Sequence, residues 1–241
     1  MSEQFAEYVN GRTIAVVGPA RASYDQSAEV DAHDVVIRTS YGFSAQAGHR
    51  RRYDDYVSGV LPSGYGDRVD VSYYNSGATR MAREGRLDAV LADIDWALWK
   101  DSETPLPNRG LCHELRTRRP LRDGRLININ QVTGILFHLA HYDPADVTVY
   151  GADFYVSSPD AWYDPSYVAA VHLRDIPVHV KAHRHHNQET QRFVIRQVRA
   201  KKGWPSGDDR FLTALDMSRD EHEARTAEIE ATATEPAPTA A

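Results

Sequence analysis

Thr13-Ile14-Ala15-Val16-Val17-Gly18-Pro19-Ala20 is the stretch whose reading decides the fold. Five β-branched or small apolar residues end in a glycine-proline pair, the pattern of a strand buried on both faces and closed by a sharp turn. Similar short runs recur at Val35–Ile37, Val69–Tyr73, Leu126–Ile129 and Val147–Tyr150. Helical patterns separate several of them. Leu87, Val90, Leu91 and Ile94 fall at helical spacing in a segment reaching Trp99, Ile135 to His141 follows the fourth strand, and Gln188 to Lys201 sets Phe193, Ile195 and Val198 among charges. Strands alternating with helices predict an α/β fold with a mostly parallel sheet and helices on both faces. Ligands of such sheets sit at the carboxyl ends of the strands, so the turns after Val17, Ile37, Ile129 and Tyr150 are the expected binding positions.

Composition narrows the class. Hydrophobic residues make up 41% and charged residues 26% of the 241, which is ordinary for a globular chain, and no apolar run approaches membrane-spanning length. Met1 to Asn10 carries Glu3 and Glu7 and has neither the basic nor the apolar region of a secretory signal. A cytoplasmic location is the expectation, and the single cysteine, Cys112, agrees with a reducing compartment. The net charge of −6 is concentrated from Asp216 onward, where seven acids face two arginines, so residues 1–215 are nearly neutral. A nearly neutral body argues against nucleic-acid binding, which rests on a basic surface. The expected organisation is a catalytic domain over residues 1–215 and an acidic, Ala/Glu-rich tail over 216–241, helical from about Ser218 to Ala231. Arg116 to Arg125 holds five arginines around Pro120 and reads as an exposed loop.

The Gly18-Pro19-Ala20 turn lies where a small residue lets backbone amides approach an anion. Neither G-x-G-x-x-G nor the phosphate-loop motif is present. Four segments in order carry a more specific pattern. Ile14-Ala15-Val16-Val17-Gly18 followed by Val30-Asp31-Ala32-His33-Asp34-Val35-Val36-Ile37-Arg38 resembles the large sialyl motif of the animal-type sialyltransferases. Gln131-Val132-Thr133-Gly134 with Val147-Thr148-Val149-Tyr150-Gly151-Ala152-Asp153 is similar to the small sialyl motif. Asp160-Ala161-Trp162-Tyr163-Asp164 resembles the third motif, and the histidine-rich stretch before Glu189 resembles the last.

That resemblance implies a Rossmann-like fold of the glycosyltransferase A-like variety and an inverting transfer of sialic acid, or a related keto-deoxy sugar, from a CMP-activated donor. The acceptor would be a glycan or small-molecule hydroxyl. It implies no metal and no cofactor beyond the donor itself. Gly18, Pro19, Ala20, Arg38 and Thr39 would border the donor, with Gln131, Thr133 and Gly134 at its phosphate or carboxylate. Gly151, Ala152 and Asp153 would meet the cytidine, and Trp162 and Tyr163 would close over the phosphate. Thr133 has a second reading from its position alone, as the cap of the following helix. The family has asparagine where this chain has Pro19 and Thr39, and histidine where it has Ala161; its motif cysteines are absent. A nucleotide-binding or nucleotide-hydrolysing protein on the same fold is therefore the alternative.

Transfer to a hydroxyl needs a general base, a role suited to histidine. In Lys181-Ala182-His183-Arg184-His185-His186-Asn187-Gln188-Glu189 the family's spacing falls on Arg184, and a small gap moves it to His185 or His186. His186, followed by Asn187, is the chosen base and His185 its neighbour in contention. The same histidines, with His183, also fit a zinc site or a solvated loop. Glu189 reads as a first-turn acid of the next helix. Asp93-Ile94-Asp95 has the spacing of a metal-diphosphate motif but falls in the helical pattern, on an exposed face. His138 and His141 read as packing or surface residues, and Cys112 as a buried thiol.

Overall fold

The structure, a computed structural model, describes residues 3–20, 22–39, 63–74, 94–100, 113–115, 130–157 and 188–234. Helix α1 (Glu3–Val9) leads into β1 (Thr13–Val17), α2 (Ser27–Asp31), β2 (Val35–Thr39), β3 (Val71–Tyr74), β4 (Trp96–Lys100) and β5 (His113–Leu115). Then come α3 (Gln131–Leu139), β6 (Asp146–Tyr150), α4 (Gln188–Lys202), β7 (Ser206–Gly207), α5 (Asp209–Asp216) and α6 (Arg219–Thr234). The strands form one sheet in the order β5-β4-β3-β2-β1-β6-β7, with every neighbouring pair parallel. This is an α/β, Rossmann-like fold. Among the described residues no helix is long and apolar enough to cross a membrane.

Alternation along the strands sorts the core into two layers. Ile14, Val16, Val35, Ile37, Val71, Tyr73, Val147 and Val149 face one side, where Phe5 and Val9 of α1, Ile135, Leu136 and Leu139 of α3, Ile195 of α4 and Phe211 of α5 cover them. Ala15, Val17, Val36 and Tyr150 face the other, against Val30 of α2 and Tyr65. Both faces are dry, which is why the strands read as unbroken apolar runs. Helix α1 holds its place through Phe5, whose ring lies 5.1 Å from Trp96, 5.3 Å from His138 and 5.4 Å from Tyr142. The helix ends at Gly11, where φ is +71° and the amide donates to the Asp143 carbonyl.

Three sequence expectations change. The third strand starts at Val71 rather than Val69 because Asp70 acts as a polar clamp: its carboxylate accepts the Val36 amide at 2.7 Å, and its carbonyl accepts the Asp95 and Trp96 amides. The helix expected to reach Trp99 gives way to strand β4, with Ile94 buried and exposed Asp95 accepting the Tyr8 hydroxyl at 2.7 Å. An exposed-helix reading of Asp95 is thus replaced by a bend at a strand entrance; Trp-Ala-Leu-Trp is too short for periodicity to separate strand from helix. Strand β5 was not expected. The strand expected at Leu126–Ile129, the Arg116–Arg125 loop, Cys112 and Asp93 lie outside the described residues.

Truncating Phe5 to alanine removes a fully buried ring that joins α1, β4 and α3. The expected loss is roughly 3–5 kcal/mol, as for other buried aromatic truncations. Equilibrium denaturant unfolding measures it; a loss no greater than the roughly 0.5 kcal/mol of surface substitutions would show that α1 is not part of the core.

Candidate functional site

The chain runs from β1 outward through β2, β3, β4 and β5, then returns to place β6 on the other side of β1. The order reverses between β1 and β6, and a parallel sheet opens its binding crevice at the carboxyl ends on either side of such a reversal. Val17 lies opposite Tyr150 and Arg38, so the turns after β1, β2 and β6 share one edge. Helices α3 and α4 run back toward the strands that follow them, which brings their first turns to the same edge.

The two central turns are bound to each other. The Gly18 amide donates to the Tyr150 carbonyl at 2.8 Å and the Ala20 amide to the Gly151 carbonyl at 3.0 Å. A Cβ on Gly18 would stand 2.4 Å from the Gly151 oxygen, and one on Gly151, where φ is +63°, would meet the Gly18 and Ala20 oxygens. A third turn joins them: the Gly151 amide donates to the Asp208 carboxylate at 3.0 Å, whose other oxygen caps α5 through the Phe211 amide. The sequence expectation for this turn is therefore corrected. Gly18 and Ala20 have spent their amides on β6, and Pro19 has none, so the small residue admits a neighbouring turn rather than exposing amides to an anion.

Arg38 and Thr39 end β2 and are both buried. Arg38 donates through Nε to the Arg68 carbonyl at 2.8 Å and through Nη2 to the Tyr65 and Gly66 carbonyls at 2.6 and 2.7 Å. The guanidinium staples the 65–68 segment to the crevice edge. Tyr65 in turn lies beside Tyr150, whose phenol burial pushes up to about 12. Asp153 is buried as well. Its carboxylate accepts the Tyr155 amide at 2.9 Å, the Ser157 amide at 3.3 Å and the Ser157 hydroxyl, building a turn in which Phe154 and Tyr155 both have positive φ. Burial raises its pKa against the lowering effect of those hydrogen bonds. Ala152 packs partly buried against the core.

Helix α3 starts at Gln131, two residues before Thr133, and its cap is Asn130. The Asn130 side chain accepts the Thr133 amide at 2.8 Å, its carbonyl accepts the Gly134 amide at 2.9 Å, and its own amide donates to Gln191 of α4 at 2.9 Å. The capping reading of Thr133 is corrected, and the amides of Thr133 and Gly134 are already engaged. The Thr133 hydroxyl is different: it is buried and has no hydrogen-bond partner. Asn130 was legible as a favoured capping residue three positions before Thr133.

On α4, Glu189 is the expected first-turn acid, and the sequence reading missed its partner. Arg192, fully buried, pairs with Glu189 at 2.7 Å and also donates to the Met217 carbonyl. An acid and an arginine three apart on a helix are the available signal. The Gln188 side chain is buried with no partner for either amide atom. His138 packs against Phe5 and Tyr142 while His141 is exposed in the turn beyond α3. Among the described residues no cluster of three or more His, Cys, Asp or Glu could hold a metal ion. Trp162, Tyr163, His183, His185 and His186 lie outside the described residues. The chain matches no protein-family model and no curated protein.

Gly18→Ala tests the contact between the turns. Because the 2.4 Å clash is with backbone, the expected cost is roughly 1–3 kcal/mol of stability, with faster amide exchange at Ala20. Wild-type exchange at Ala20 in this variant would mean that the two turns do not depend on each other.

Proposed function

We propose that the chain is a sialyltransferase-like glycosyltransferase that moves sialic acid or a related keto-deoxy sugar from its CMP ester to a glycan or small-molecule hydroxyl. The observation that carries this reading is the juxtaposition of the two motif ends. Strands of the segments resembling the large and small sialyl motifs, some 130 residues apart in sequence, end side by side in register at the reversal of the strand order, Val17 opposite Tyr150. The unpartnered Thr133 hydroxyl at the first turn of α3 supports a polar contact to the donor there. That hydroxyl is shielded, so a donor reaching it displaces what covers it. In this reading His186 takes the acceptor proton as the sugar leaves CMP, with His185 next in line, and Trp162 and Tyr163 close the site. The transfer calls for no metal.

The second reading is a nucleotide-binding or nucleotide-hydrolysing protein on the same fold. With Gly18 and Ala20 amides engaged and Pro19 lacking one, the first turn offers the phosphate little. A protein that binds or hydrolyses a nucleotide without sugar transfer fits that turn equally.

Calorimetry with CMP, UMP, GDP and NAD separates the cases: selective CMP binding supports both readings, and no binding at millimolar concentration sinks both. Product detection by mass, with CMP-sialic acid and CMP-keto-deoxy acids against an acceptor panel, then separates transfer from binding alone. His186→Ala should lower kcat by ~10²–10⁴-fold and leave CMP affinity near wild type, with His185→Ala as the control.

Thr133→Val distinguishes a donor contact from a scaffold role by opposite signs. Removing a buried hydroxyl that has no partner should leave stability unchanged or raised, whereas losing one donor hydrogen bond of about 0.5–1.5 kcal/mol should weaken CMP binding several-fold. Unchanged CMP affinity would remove Thr133 from the site.

A further inference from the structure

The turn after β6 is held from outside the sheet. Phe154 and Tyr155 take φ of +52° and +61°, a conformation that L side chains rarely adopt and that persists only where surrounding contacts impose it. Asp153 supplies some of those contacts from within the turn. Helix α6 supplies another: Arg225 donates through Nε to the Val156 carbonyl at 3.0 Å, and the buried His222 ring lies by the Phe154 carbonyl. Most of α6 is exposed and polar, and among its described side chains only His222 and Ile229 are buried. The first half of α6 is thus attached to the turn after β6, and that turn borders the crevice at the strand reversal.

His222 is the unusual member of the contact. It is 6% exposed, and its Nε2 is buried with no hydrogen-bond partner. We propose that α6 is a strap that positions the Gly151–Ser157 turn, and that protonation of His222 loosens the strap and with it this wall of the crevice.

A second proton on the ring goes to Nε2, where no acceptor waits. The charged groups around it are Arg192 and Glu189 from α4 and Glu223 from α6 itself. The turn contributes the Phe154 carbonyl and, one residue earlier, the buried Asp153 carboxylate. Glu189 favours the imidazolium but is already paired with Arg192 at 2.7 Å and lies 3.8 Å from Arg196. Burial first, then Arg192, holds the ring below its ordinary value of 6.5. The sign follows. The released ring binds its proton more tightly than the docked one, so docking is at full strength above about pH 6.5 and weakens as pH falls below it.

The opening of the turn stands independently of the donor reading; only its effect on CMP rests on that reading. In the full chain, amide exchange at Tyr155 and Ser157, corrected for intrinsic rate, is compared at about pH 7.5 and pH 5.5, and the His222 ring is titrated by NMR. Loosening should raise turn exchange by about tenfold for each unit by which the ring is held down, with turn opening and ring titration sharing a midpoint. His222→Asn keeps a polar side chain of similar reach but cannot titrate, and should make turn exchange independent of pH. Arg225→Ala should speed exchange at both pH values, with Arg225→Lys recovering part of the protection. Wild-type turn exchange that is flat with pH, midpoints that do not coincide, or His222→Asn retaining the wild-type dependence overturns the proposal. If His222→Asn does not fold, the coincidence of midpoints in the wild-type chain decides. CMP affinity falling with pH in wild type but not in His222→Asn extends the effect to the donor, while a pH-dependent turn in a chain that never binds CMP leaves the strap standing and removes the donor reading.

Discussion

Two backbone turns, after β1 and after β6, approach so closely that neither tolerates a side chain, and the middle of the sheet depends on that approach. Gly18 and Gly151 are not flexible points here. They are positions where main chain packs on main chain, with two hydrogen bonds donated from the turn after β1 to carbonyls at the end of β6. Asp208 extends the contact to the end of β7, so three strand ends are fixed by one polar side chain and two missing ones. The crevice that a parallel sheet offers at a reversal of strand order is therefore floored by engaged backbone. A ligand there would meet the side chains and helix starts around the crevice rather than these amides.

A second pattern accompanies the first. Asp70, Arg38, Asp153 and Asp208 are polar residues at strand ends, and each directs its charge at main-chain groups. A buried amide or carbonyl without a partner is costly, and the ends of short strands leave several such groups unmatched. These side chains match them, and in doing so they fix the bends that carry the chain out of the sheet. The cost is chemical: a guanidinium occupied by three carbonyls, as in Arg38, has less left to offer a phosphate.

The strands of the sheet centre were legible because burial on both faces demands unbroken apolar runs, and Ile14–Val17, Val35–Ile37 and Val147–Tyr150 have them. The boundary of β3 was not, since the residue that delays it, Asp70, acts through a carboxylate contact with a distant strand. Trp96–Lys100 was hidden by an apolar pattern that continues from the preceding segment. The candidate site was legible as a place in the fold, the shared edge of the strand ends, but less so as chemistry. Whether the Gly18 amides face a ligand or a neighbouring turn depends on β6, 130 residues on, and no local pattern encodes it. Arg192 and His222 were missed for the same reason: a charged residue in a polar helix looks solvated until the helix is seen to dock.

Strand β7 contributes only Ser206 and Gly207 before Asp208 starts the next helix, and the Phe211 ring lies against Gly207. A sheet grows by offering a new strand a row of free amides and carbonyls, and two residues are too few to hold one in register. Among the described residues the sheet therefore ends, beyond β6, in a margin too short to template another strand, one that gives edge-to-edge pairing little to hold.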